Sequence, residues 1–585
     1  MFSGTGGASA ISKTEFLHMF QRCTPPVGWP STVAVANSGG ADSTCLLFLV
    51  NRLLSDEKMS RKGLPNSVVS ITVDHGLQAC SSSMADRCSK NAISLKVKHI
   101  TIPIPWSEPP FPPRPSNMRN VENIARDARF HILFHAMTRM SVKTLAFGHH
   151  VDDQVETSLM RLAKGTTELG AGGMRQCRRW GMGQTRSVTD TLGWAGYEGM
   201  HRWIVRPLLR VSKERILATC AENGLEYVTD PTNFQPDVTI RNAIRQILKE
   251  EEADGSGATP DNNTTAPLPA DLKEQLGRVK QASKRLRSYY DITGGAEQLR
   301  GAVKVLSSRM TDIDNEVDRH IRLRTVPSPV GTFLLSGHKL AAIGDHIIRS
   351  AMIIRIMRYV SPQPWGSIRA DVNRRVTNIR RIVDMIWAPD PHSADTRHRA
   401  VGSGVLWTPV IIRSDSAGKE TIRIPEEKIS DVNLGVGDRF GWLASRQPPF
   451  NKNIRAIGDA PNPLAFNLTD QLCQLWNRLK EERSNEQTAR RTLEILYDCR
   501  FLLRFDVTKM PPEIGMSLAV GQSQILVKSR TRWYFPHVVW QRPGGSIDLA
   551  AMNDAVQEPG GVVEMPKDKL SCWITMDWIR TLNAI

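Results

Sequence analysis

The run Val33-Ala34-Val35-Ala36 is followed, one residue later, by Ser38-Gly39-Gly40-Ala41-Asp42-Ser43 and then by the apolar run Thr44–Leu54. The first run predicts a β-strand and the last an α-helix, so the glycines fall in the turn between them. Two glycines let backbone N–H groups approach an anion, serine hydroxyls add donors, and a helix N-terminus carries partial positive charge. The stretch therefore predicts a phosphate-binding loop.

This loop differs from the usual nucleotide loop, G-x-x-x-x-G-K-[ST], because no lysine follows the glycines. Asp42 stands there instead, and its carboxylate would repel a phosphate unless a divalent cation lay between them. Such a loop fits pyrophosphate together with Mg²⁺, which predicts cleavage of ATP to AMP and pyrophosphate. Taken alone, the same residues also fit a serine-capped surface turn.

Residues 31–249 alternate between strand-like and helix-like segments, which predicts an α/β catalytic domain with a doubly wound parallel sheet. The predicted strands are Thr32–Ala36, Val68–Val73, Val97–Ile102 and Thr144–Gly148, and the predicted helices are Ser43–Leu54, Ser82–Ala92 and Val121–Arg139. Ligands bind such sheets at the carboxyl ends of the strands, where residues 38–43 fall. Two segments, the proline-rich 103–117 and the glycine-rich 175–203, are predicted to be irregular.

The other ranges are predicted from composition. Residues 1–30 form an N-terminal extension or a first helix at Lys13–Gln21, residues 250–268 a polar linker, residues 269–401 a helical and mixed domain, and residues 402–585 a mixed α+β region. Lysine and arginine recur along the helical block 272–322, which is expected to contribute to nucleic-acid binding together with 175–203.

The 585 residues carry a formal net charge of +17, which in a phosphate-binding protein favours a polyanionic partner. Nine cysteines form no C-x-x-C pair, which predicts reduced thiols in the cytosol or a matrix rather than a secreted disulfide framework. No apolar run reaches the roughly 18–20 residues that cross a bilayer. The first 30 residues fit either an organellar transit segment or a native helix, so the expected location is mitochondrial or cytoplasmic.

The second predicted strand is followed by Asp74-His75-Gly76-Leu77. A carboxylate at the carboxyl end of a strand accepts hydrogen bonds from a hydroxyl or an amine, and glycine permits close approach of a ligand. The segment therefore suits contact with a nucleoside, and the alternative is an aspartate that only closes a turn.

The fourth predicted strand runs into His149-His150-Val151-Asp152-Asp153-Gln154-Val155-Glu156-Thr157. If a helix begins near Val151, Asp152 and Glu156 lie four residues apart on one face, with Asp153 beside them. Clustered carboxylates are the ligands that Mg²⁺ prefers. Zinc is a rival interpretation, although neither H-E-x-x-H nor a nearby cysteine supports it. A purely structural cluster of capping histidines and solvated acids is the other.

A third group of residues is basic: Arg206-Pro207-Leu208-Leu209, then Lys213, and later Arg241 and Arg245. Arg241 and Arg245 are four apart on a predicted helix and form a cationic edge suited to phosphate or carboxylate. Each arginine alone is as well explained by a solvated surface.

Together, and in this order, these segments resemble the tRNA(Ile)-lysidine synthase family of the N-type, or PP-loop, ATP pyrophosphatases, which have an adenine nucleotide alpha hydrolase-like fold. The similar segments are Ser38–Ser43, Asp74–Leu77, Glu122–Arg126, His149–Thr157, Arg161–Met174, Arg206–Leu209 and Arg241–Arg245. The resemblance covers about residues 30–248 and does not visibly extend into 250–585.

The resemblance implies a role for each matching residue. ATP would be bound by Ser38, Gly39, Gly40, Ala41, Asp42, Ser43, Asp74, His75, Gly76, Leu77 and His149. Catalytic roles fall to Asp42, Asp153, Glu156 and Arg241, and Mg²⁺ would be held by Asp42, Asp152 and Asp153.

An enzyme of this family would be a ligase that forms a carbon–nitrogen bond. It would use ATP to adenylate the wobble cytidine of a tRNA(Ile) with a CAU anticodon, and the ε-amine of free L-lysine would then displace AMP. The aromatic residues of 175–203 would stack on the anticodon base. Two alternatives stay open. One is another PP-loop tRNA-modifying enzyme of the thiolase type, for which the cysteine spacing offers no pair; the other is a non-catalytic RNA-binding homologue.

Overall fold

The structure is a computed structural model. It describes residues 8–56, 62–78, 80–115, 121–166, 168–183, 195–228, 244, 270–289, 295–337, 340–366, 376–388, 400–414, 420–425, 433–449, 464–481, 491–552, 556–557 and 570–585. Arg241, Arg245 and the predicted linker 250–268 lie outside this set. The chain divides into two compact units: 1–180, 201–312 and 585 form the first, and 181–200 and 313–584 form the second.

A six-stranded sheet forms the centre of the first unit. Its strands are β1 (Thr32–Ala36), β2 (Ser67–Asp74), β3 (Lys98–Pro103), β4 (Thr144–Ala146), β5 (Cys177–Arg179) and β6 (Trp203–Val205). Their order is β3-β2-β1-β4-β6-β5, with every neighbouring pair parallel except β5 and β6. The chain order reverses between β1 and β4, and the carboxyl ends of strands at such a switch point are where α/β sheets bind ligands.

Helices cover this sheet and continue beyond it. They are α1 (Lys13–Gln21), α2 (Ala41–Leu54), α3 (Ser81–Ser94), α4 (Val121–Arg139), α5 (Val151–Ala163), α6 (Glu168–Ala171), α7 (Lys213–Glu222), α8 (Ala270–Arg287) and α9 (Gly295–Arg324), the last with residues 295–312 in the first unit. Because α2 follows β1 and α5 follows β4, the N-termini of these two helices meet at the switch point.

The first unit also contains α1 and the helices α8 and α9. Phe16 and Phe20 of α1 are buried, and the Phe20 ring stacks on Trp29 with centroids 4.2 Å apart. The apolar faces of α5, α8 and α9 share one buried cluster, formed by Val155, Leu159, Leu162, Val279, Ala282, Leu286, Leu299, Ala302, Val303 and Leu306. Burial of about ten aliphatic side chains holds α8 and α9 in one core with the helix that carries the acidic motif.

The second unit is mostly antiparallel. Its strands are β7 (Thr325–Val326), β8 (Ser328–Pro329), β9 (Phe333–Ser336), β10 (Ala400–Gly402), β11 (Val405–Ser414), β12 (Glu420–Arg423), β13 (Asp438–Arg446), β14 (Phe466–Asn467), β15 (Thr492–Tyr497), β16 (Phe501–Asp506), β17 (Gln524–Arg530), β18 (Phe535–Arg542), β19 (Gly545–Ala551), β20 (Val556–Gln557) and β21 (Ile574–Trp578). Its helices are α10 (His346–Val360), α11 (Val376–Ile386), α12 (Thr469–Glu481) and α13 (Pro512–Ala519).

The sheets of the second unit have the orders β10-β11-β13-β9-β7, β14-β17-β18-β19 and β15-β16-β21. One core joins α10 and α11 to the first of these sheets, and a second joins α12 and α13 to the other two. Across the residues described in both units, no helix is both long and apolar enough to cross a membrane.

The predicted α/β class is confirmed, and so are the bounds of the strand Thr32–Ala36 and of the helices Lys13–Gln21 and Val121–Arg139. The prediction that 175–203 is irregular is wrong, because the segment contains β5, a 3₁₀ helix at Gly196–Met200 and the first residue of β6. A three-residue strand is too short to produce a period-2 pattern, so neither strand could be predicted from the sequence.

The expected stacking role of the aromatic residues in 175–203 also fails at two positions. Trp180 and Trp203 are 6% and 1% exposed, and Trp203 lies under the Arg179 guanidinium with 4.4 Å between Cζ and the ring centroid. Tyr197 hydrogen-bonds Glu494 within the second unit, and Trp194 lies outside the described residues. The two buried indoles are core residues rather than an exposed stacking surface.

Candidate active site

The phosphate-binding loop connects β1 to α2. Gly40 is the N-cap of α2, and Gly39 has φ +80°, a conformation that side-chain-bearing residues rarely adopt. Ser43 Oγ accepts from Ser38 N–H at 3.1 Å and lies 3.2 Å from Asn37 Oδ1, which in turn accepts from Gly39 N–H at 3.0 Å. Side chains therefore hold the loop shape, and Asn37 is a member of this network that the sequence did not single out.

The first turn of α2 presents backbone donors to a ligand. Within the described part of the chain, the N–H groups of Ala41, Asp42 and Ser43 have no hydrogen-bond partner, as expected at a helix start. Three open N–H groups and the helix dipole together favour an anion at this position.

Two glycines bring neighbouring backbone close to this loop. A Cβ on Gly148, which follows β4, would lie 2.8 Å from both the carbonyl carbon and the carbonyl oxygen of Asp42. A Cβ on Gly39 would lie 2.8 Å from the Cys88 sulfur of α3. Both positions therefore need glycine for packing, and Gly148 brings the segment that precedes α5 against the loop.

The segment Asp74–Leu77 follows β2 and is held by its own hydrogen bonds. Asp74 Oδ1 accepts from Gly76 N–H at 2.9 Å and from the Ser81 hydroxyl at 2.6 Å, and Trp106 Nε1 donates to the His75 carbonyl at 2.8 Å. The carboxylate thus closes the turn. A contact between Asp74, His75, Gly76 or Leu77 and a nucleoside stays a prediction.

The acidic motif begins α5. His150 is the N-cap: its Nδ1 accepts from Asp152 N–H at 3.3 Å, while Asp153 Oδ2 accepts from His150 N–H at 2.9 Å. This reciprocal capping box fixes the first turn. Glu156, one turn further on, is 3% exposed.

The three carboxylates predicted to hold Mg²⁺ surround the imidazole of His150. Its Nε2 lies 3.9 Å from Asp42 Oδ1 and 3.7 Å from Asp153 Oδ2, and its Nδ1 lies 3.5 Å from Asp152 Oδ2. Because Nδ1 accepts a backbone N–H, a neutral ring carries its proton on Nε2, facing Asp42 and Asp153. His150 therefore bridges α2 and α5, a role that the sequence did not reveal.

No three acidic, histidine or cysteine side chains among the described residues converge on a point that a metal ion could fill. The carboxylates therefore do not form a closed protein cage for Mg²⁺. In nucleotide sites this ion takes one or two carboxylates and completes its shell with phosphate oxygens and water. A single carboxylate beside the phosphate loop, as Asp42 is, meets that requirement.

Two cations that lie far away in the sequence balance these acids. Lys213, the first residue of α7, has its Nζ 2.6 Å from Asp42 Oδ1. Arg300 of α9 donates from Nε to Asp152 Oδ1 at 2.6 Å and from Nη1 to Glu297 at 2.7 Å. Burial alone would lower the pKa of Arg300, but hydrogen bonds to Asp152 and Glu297 raise it above the ordinary value, so the guanidinium is always charged.

His149 packs beside this group on the Phe147 ring, with centroids 5.4 Å apart. Its Nδ1 accepts from Arg206 Nε at 3.2 Å. Burial and then the Arg206 charge lower the pKa of His149 to about 3, and burial lowers that of Arg206 to about 9. His149 is therefore a neutral ring whose Nε2 is left as a donor.

The structure thus brings together the predicted residues Ser38–Ser43, His149, Asp152 and Asp153 at the switch point of the sheet, and Glu156 follows one turn further along α5. Cys45 of α2 and Cys220 of α7 lie near the loop, but both are buried. The hydrogen bond that the Cys45 thiol donates to Cys220, together with burial, raises the pKa of Cys45 well above its usual range. These cysteines belong to the core.

Comparison with known proteins gives one family match, two similar relatives and one solved structure. The profile of the PP-loop domain family matches residues 11–252. A tRNA(Ile)-lysidine synthase of Bacillus subtilis (strain 168) is 32% identical over 232 residues, which cover 38% of this chain and 42% of the relative. Another, from Methylobacterium nodulans, is 31% identical over 278 residues, covering 48% of this chain and 68% of the relative. The chain therefore spans less than half the length of the Bacillus relative.

Among solved structures, the U34-tRNA thiolase NcsA from Methanococcus maripaludis aligns with a TM-score of 0.30 and 16% identity, over 46% of this chain and 78% of its own.

Proposed function

The chain belongs to the tRNA(Ile)-lysidine synthase family, and we propose on this basis that it is an ATP-dependent ligase that joins free L-lysine to C2 of the wobble cytidine in a tRNA(Ile) bearing a CAU anticodon. The observation that carries the proposal is the meeting of an anion-binding helix N-terminus with an acidic helix N-terminus. Asp42 of α2 and Asp153 of α5 face the same His150 ring, 3.9 and 3.7 Å away. The site proposed for phosphate and the site proposed for the cationic amine would therefore adjoin.

In the first step, the C2 oxygen of cytidine attacks the α-phosphorus of ATP and pyrophosphate leaves. Pyrophosphate carries several negative charges, and the open N–H groups of Ala41–Ser43 with the α2 dipole suit it. Ser38 and Ser43 hold the loop, and the segment Asp74–Leu77 and the ring of His149 border the space proposed for the adenosine.

In the second step, the ε-amine of lysine attacks C2, the C2–O bond breaks and AMP leaves. The amine must first lose a proton, because an ammonium has no lone pair. Asp153 and Glu156 are the carboxylates proposed to attract the ammonium and accept that proton. Arg241 is proposed to stabilise developing phosphate charge, and it lies outside the described residues.

Mg²⁺ is proposed to accompany ATP, with Asp42 as the protein ligand. When bound, it would neutralise phosphate charge. Asp153 is the second candidate ligand, whereas Asp152 is ion-paired to Arg300.

The thiolase alternative has less support. Such chemistry needs reactive thiols at the site, and reactive thiols are exposed and have a lowered pKa. Cys45, Cys88 and Cys220 are buried, and the exposed Cys80, which precedes α3, has no second cysteine within the next seven residues to pair with. A non-catalytic RNA-binding role does not explain the three carboxylates around His150, because negatively charged side chains repel the phosphate backbone of a nucleic acid.

The proposal is tested by incubating the full chain with ATP, labelled lysine and unmodified tRNA(Ile) transcripts that carry either a CAU or a UAU anticodon. Cytidine presents an acceptor at N3 and an amine at C4, whereas uridine presents a donor and a carbonyl. A site built for cytidine leaves buried groups unpaired against uridine, so incorporation should fall at least about 10²-fold. Equal labelling of both, or none of the CAU transcript, would refute the acceptor assignment.

Further readouts separate the alternatives. ATP consumption that depends on a sulfur donor rather than on lysine would favour a thiolase, and tRNA binding without ATP consumption would favour an RNA-binding protein. A mitochondrial or cytoplasmic location is part of the proposal, and cell fractionation tests it.

A further inference from the structure

The phosphate loop has no lysine of its own, yet a lysine ammonium lies beside it. Lys213 Nζ is 2.6 Å from Oδ1 of Asp42, the acid that follows the loop glycines. The two residues are 171 positions apart in the sequence. The positive charge that the usual nucleotide loop carries within its own sequence is here supplied by another helix.

The backbone at Lys213 is rigidly positioned. Lys213 is the first residue of α7, which packs against α2 through the buried Ile216 and Cys220, and the Cys220 sulfur lies 3.8 Å from the Ala41 carbonyl. After α7 the chain returns to the loop, where Val228 N–H donates to the Gly39 carbonyl at 2.8 Å. Both ends of this segment are thus tied to the loop.

The ammonium itself is free to change partners. Its side chain is 34% exposed and that of Asp42 31% exposed, so water reaches the pair and the pair contributes little to stability. A lysine side chain has four rotatable methylenes and three donors. Phosphate oxygens placed at the N-terminus of α2 would offer it more negative charge than one carboxylate does.

We propose that Lys213 is a phosphate-binding residue of this site, exchanging Asp42 for a phosphate oxygen of ATP when the nucleotide binds. The exchange also releases the Asp42 carboxylate from its ion pair with Lys213 when the nucleotide binds. The assignment rests on the proposed function only in requiring ATP as the ligand; it does not depend on lysine or tRNA.

The test is calorimetric titration of the full chain with ATP, and separately with pyrophosphate, in Mg²⁺ and again in EDTA. The variants are Lys213→Met, which keeps the length and removes the charge, and Lys213→Arg, which keeps the charge. Lys164→Met is the matched control, because Lys164 is exposed at the end of α5 in the same unit. Thermal unfolding of each variant verifies the fold.

We expect Lys213→Met to weaken ATP and pyrophosphate binding by about tenfold or more in both buffers, and Lys213→Arg to stay within about threefold. Unchanged ATP affinity in Lys213→Met would overturn the assignment and leave the proposed function standing. A loss seen only with Mg²⁺ would also overturn it, because Lys213 would then act through Asp42 and the metal. If the wild-type chain binds no ATP in either buffer, the proposed function fails and this assignment with it.

Discussion

Arg300 Nε lies 2.6 Å from Asp152 Oδ1, and the two side chains are only 13% and 17% exposed. Arg300 stands outside residues 11–252, which the PP-loop profile matches, yet it pairs with an acid at the start of α5. It can do so because Leu299, Ala302 and Val303 of α9 belong to the buried cluster that α5 and α8 also form. The acidic motif of the PP-loop domain is therefore completed by a helix from the following region.

We expect the ion pair between Arg300 and Asp152 to contribute to the free energy of unfolding. Arg300→Gln removes the cation that is paired with the largely buried Asp152, and Asp152→Asn leaves Arg300 with only the more exposed Glu297 and Glu214. Each change should therefore cost about 1–3 kcal/mol. The double variant should cost less than the sum, with a coupling of about 0.5–3 kcal/mol. Urea unfolding measures all four proteins.

The matched control for that cycle is Arg278→Gln on α8, whose partner Glu274 is 68% exposed. It should change the free energy by less than about 0.5 kcal/mol. Additive costs for Arg300 and Asp152 would contradict the coupling.

The acids at the switch point should be needed for chemistry rather than for folding. Asp42→Ala and Glu156→Gln should abolish lysine incorporation, the first by removing the carboxylate at the phosphate loop and the second by removing a candidate base. Glutamine is chosen at position 156 because that side chain is buried, and alanine would leave a cavity. The exposed Glu222→Gln on α7 is the control, and full turnover in either test variant would remove that residue from the site.

Packing at Gly148 predicts a steric effect on the loop. Gly148→Ala would set a methyl group 2.8 Å from the Asp42 carbonyl, so the first turn of α2 must shift, and ATP affinity should fall about tenfold or more. Gly277→Ala on α8 is the control, because nothing lies within 4 Å of its Cβ position. Normal ATP binding by Gly148→Ala would show that the loop tolerates the displacement.

The lowered pKa of His149 predicts how stability depends on pH. Unfolded histidine titrates near ~6.5, whereas folded His149 has a pKa of about 3 because of burial and the Arg206 charge. Between these values the unfolded chain binds one more proton, so the stabilisation present above pH ~6.5 is lost as the pH falls. The slope attributable to His149 approaches about 1.4 kcal/mol per pH unit.

Unfolding free energies of the wild type and of His149→Asn, measured between about pH 4 and 8, should therefore converge on acidification. The same substitution at the exposed His18 is the control. Parallel curves for wild type and His149→Asn would contradict the assignment of a neutral ring.

The sequence could predict features that are formed by residues contiguous in the chain. The strand, the glycines and the helix at 33–54 are contiguous, as are the capping histidine and acids at 149–156, so pattern alone located both. The cations could not be found in this way, because Lys213 and Arg300 reach their acids from 171 and 148 residues away. Only the packing of α7 on α2 and the buried cluster shared by α5, α8 and α9 bring them together.

In the segment 175–203, the sequence pattern predicted nucleic-acid binding by residues of which several are buried in the structure. Arginine interleaved with tryptophan is typical of nucleic-acid binding, but the same pairing satisfies arginines inside a protein. Arg202 lies over the Phe134 ring, 3.9 Å from its centroid, and donates to the Phe134 carbonyl at 2.7 Å. Amino-acid composition does not distinguish an arginine that stacks on an aromatic ring in the protein core from an exposed arginine that binds a nucleic-acid base.

The predicted tRNA contact therefore rests mainly on the helical block 272–322, whose α8 exposes Lys280, Lys284 and Arg285. Phosphate contacts release counterions, so tRNA affinity should fall steeply with salt, and Lys280→Glu/Lys284→Glu should weaken binding and reduce the log–log salt slope by up to about 2. The control, Lys90→Glu/Lys98→Glu, makes the same change in net charge at exposed positions on α3 and β3. Filter binding of tRNA at several salt concentrations compares the two. An equal loss of tRNA affinity in both double variants would mean that net charge alone attracts the tRNA. A wild-type tRNA affinity that does not change between low and physiological salt would mean that these cations only keep the protein hydrated.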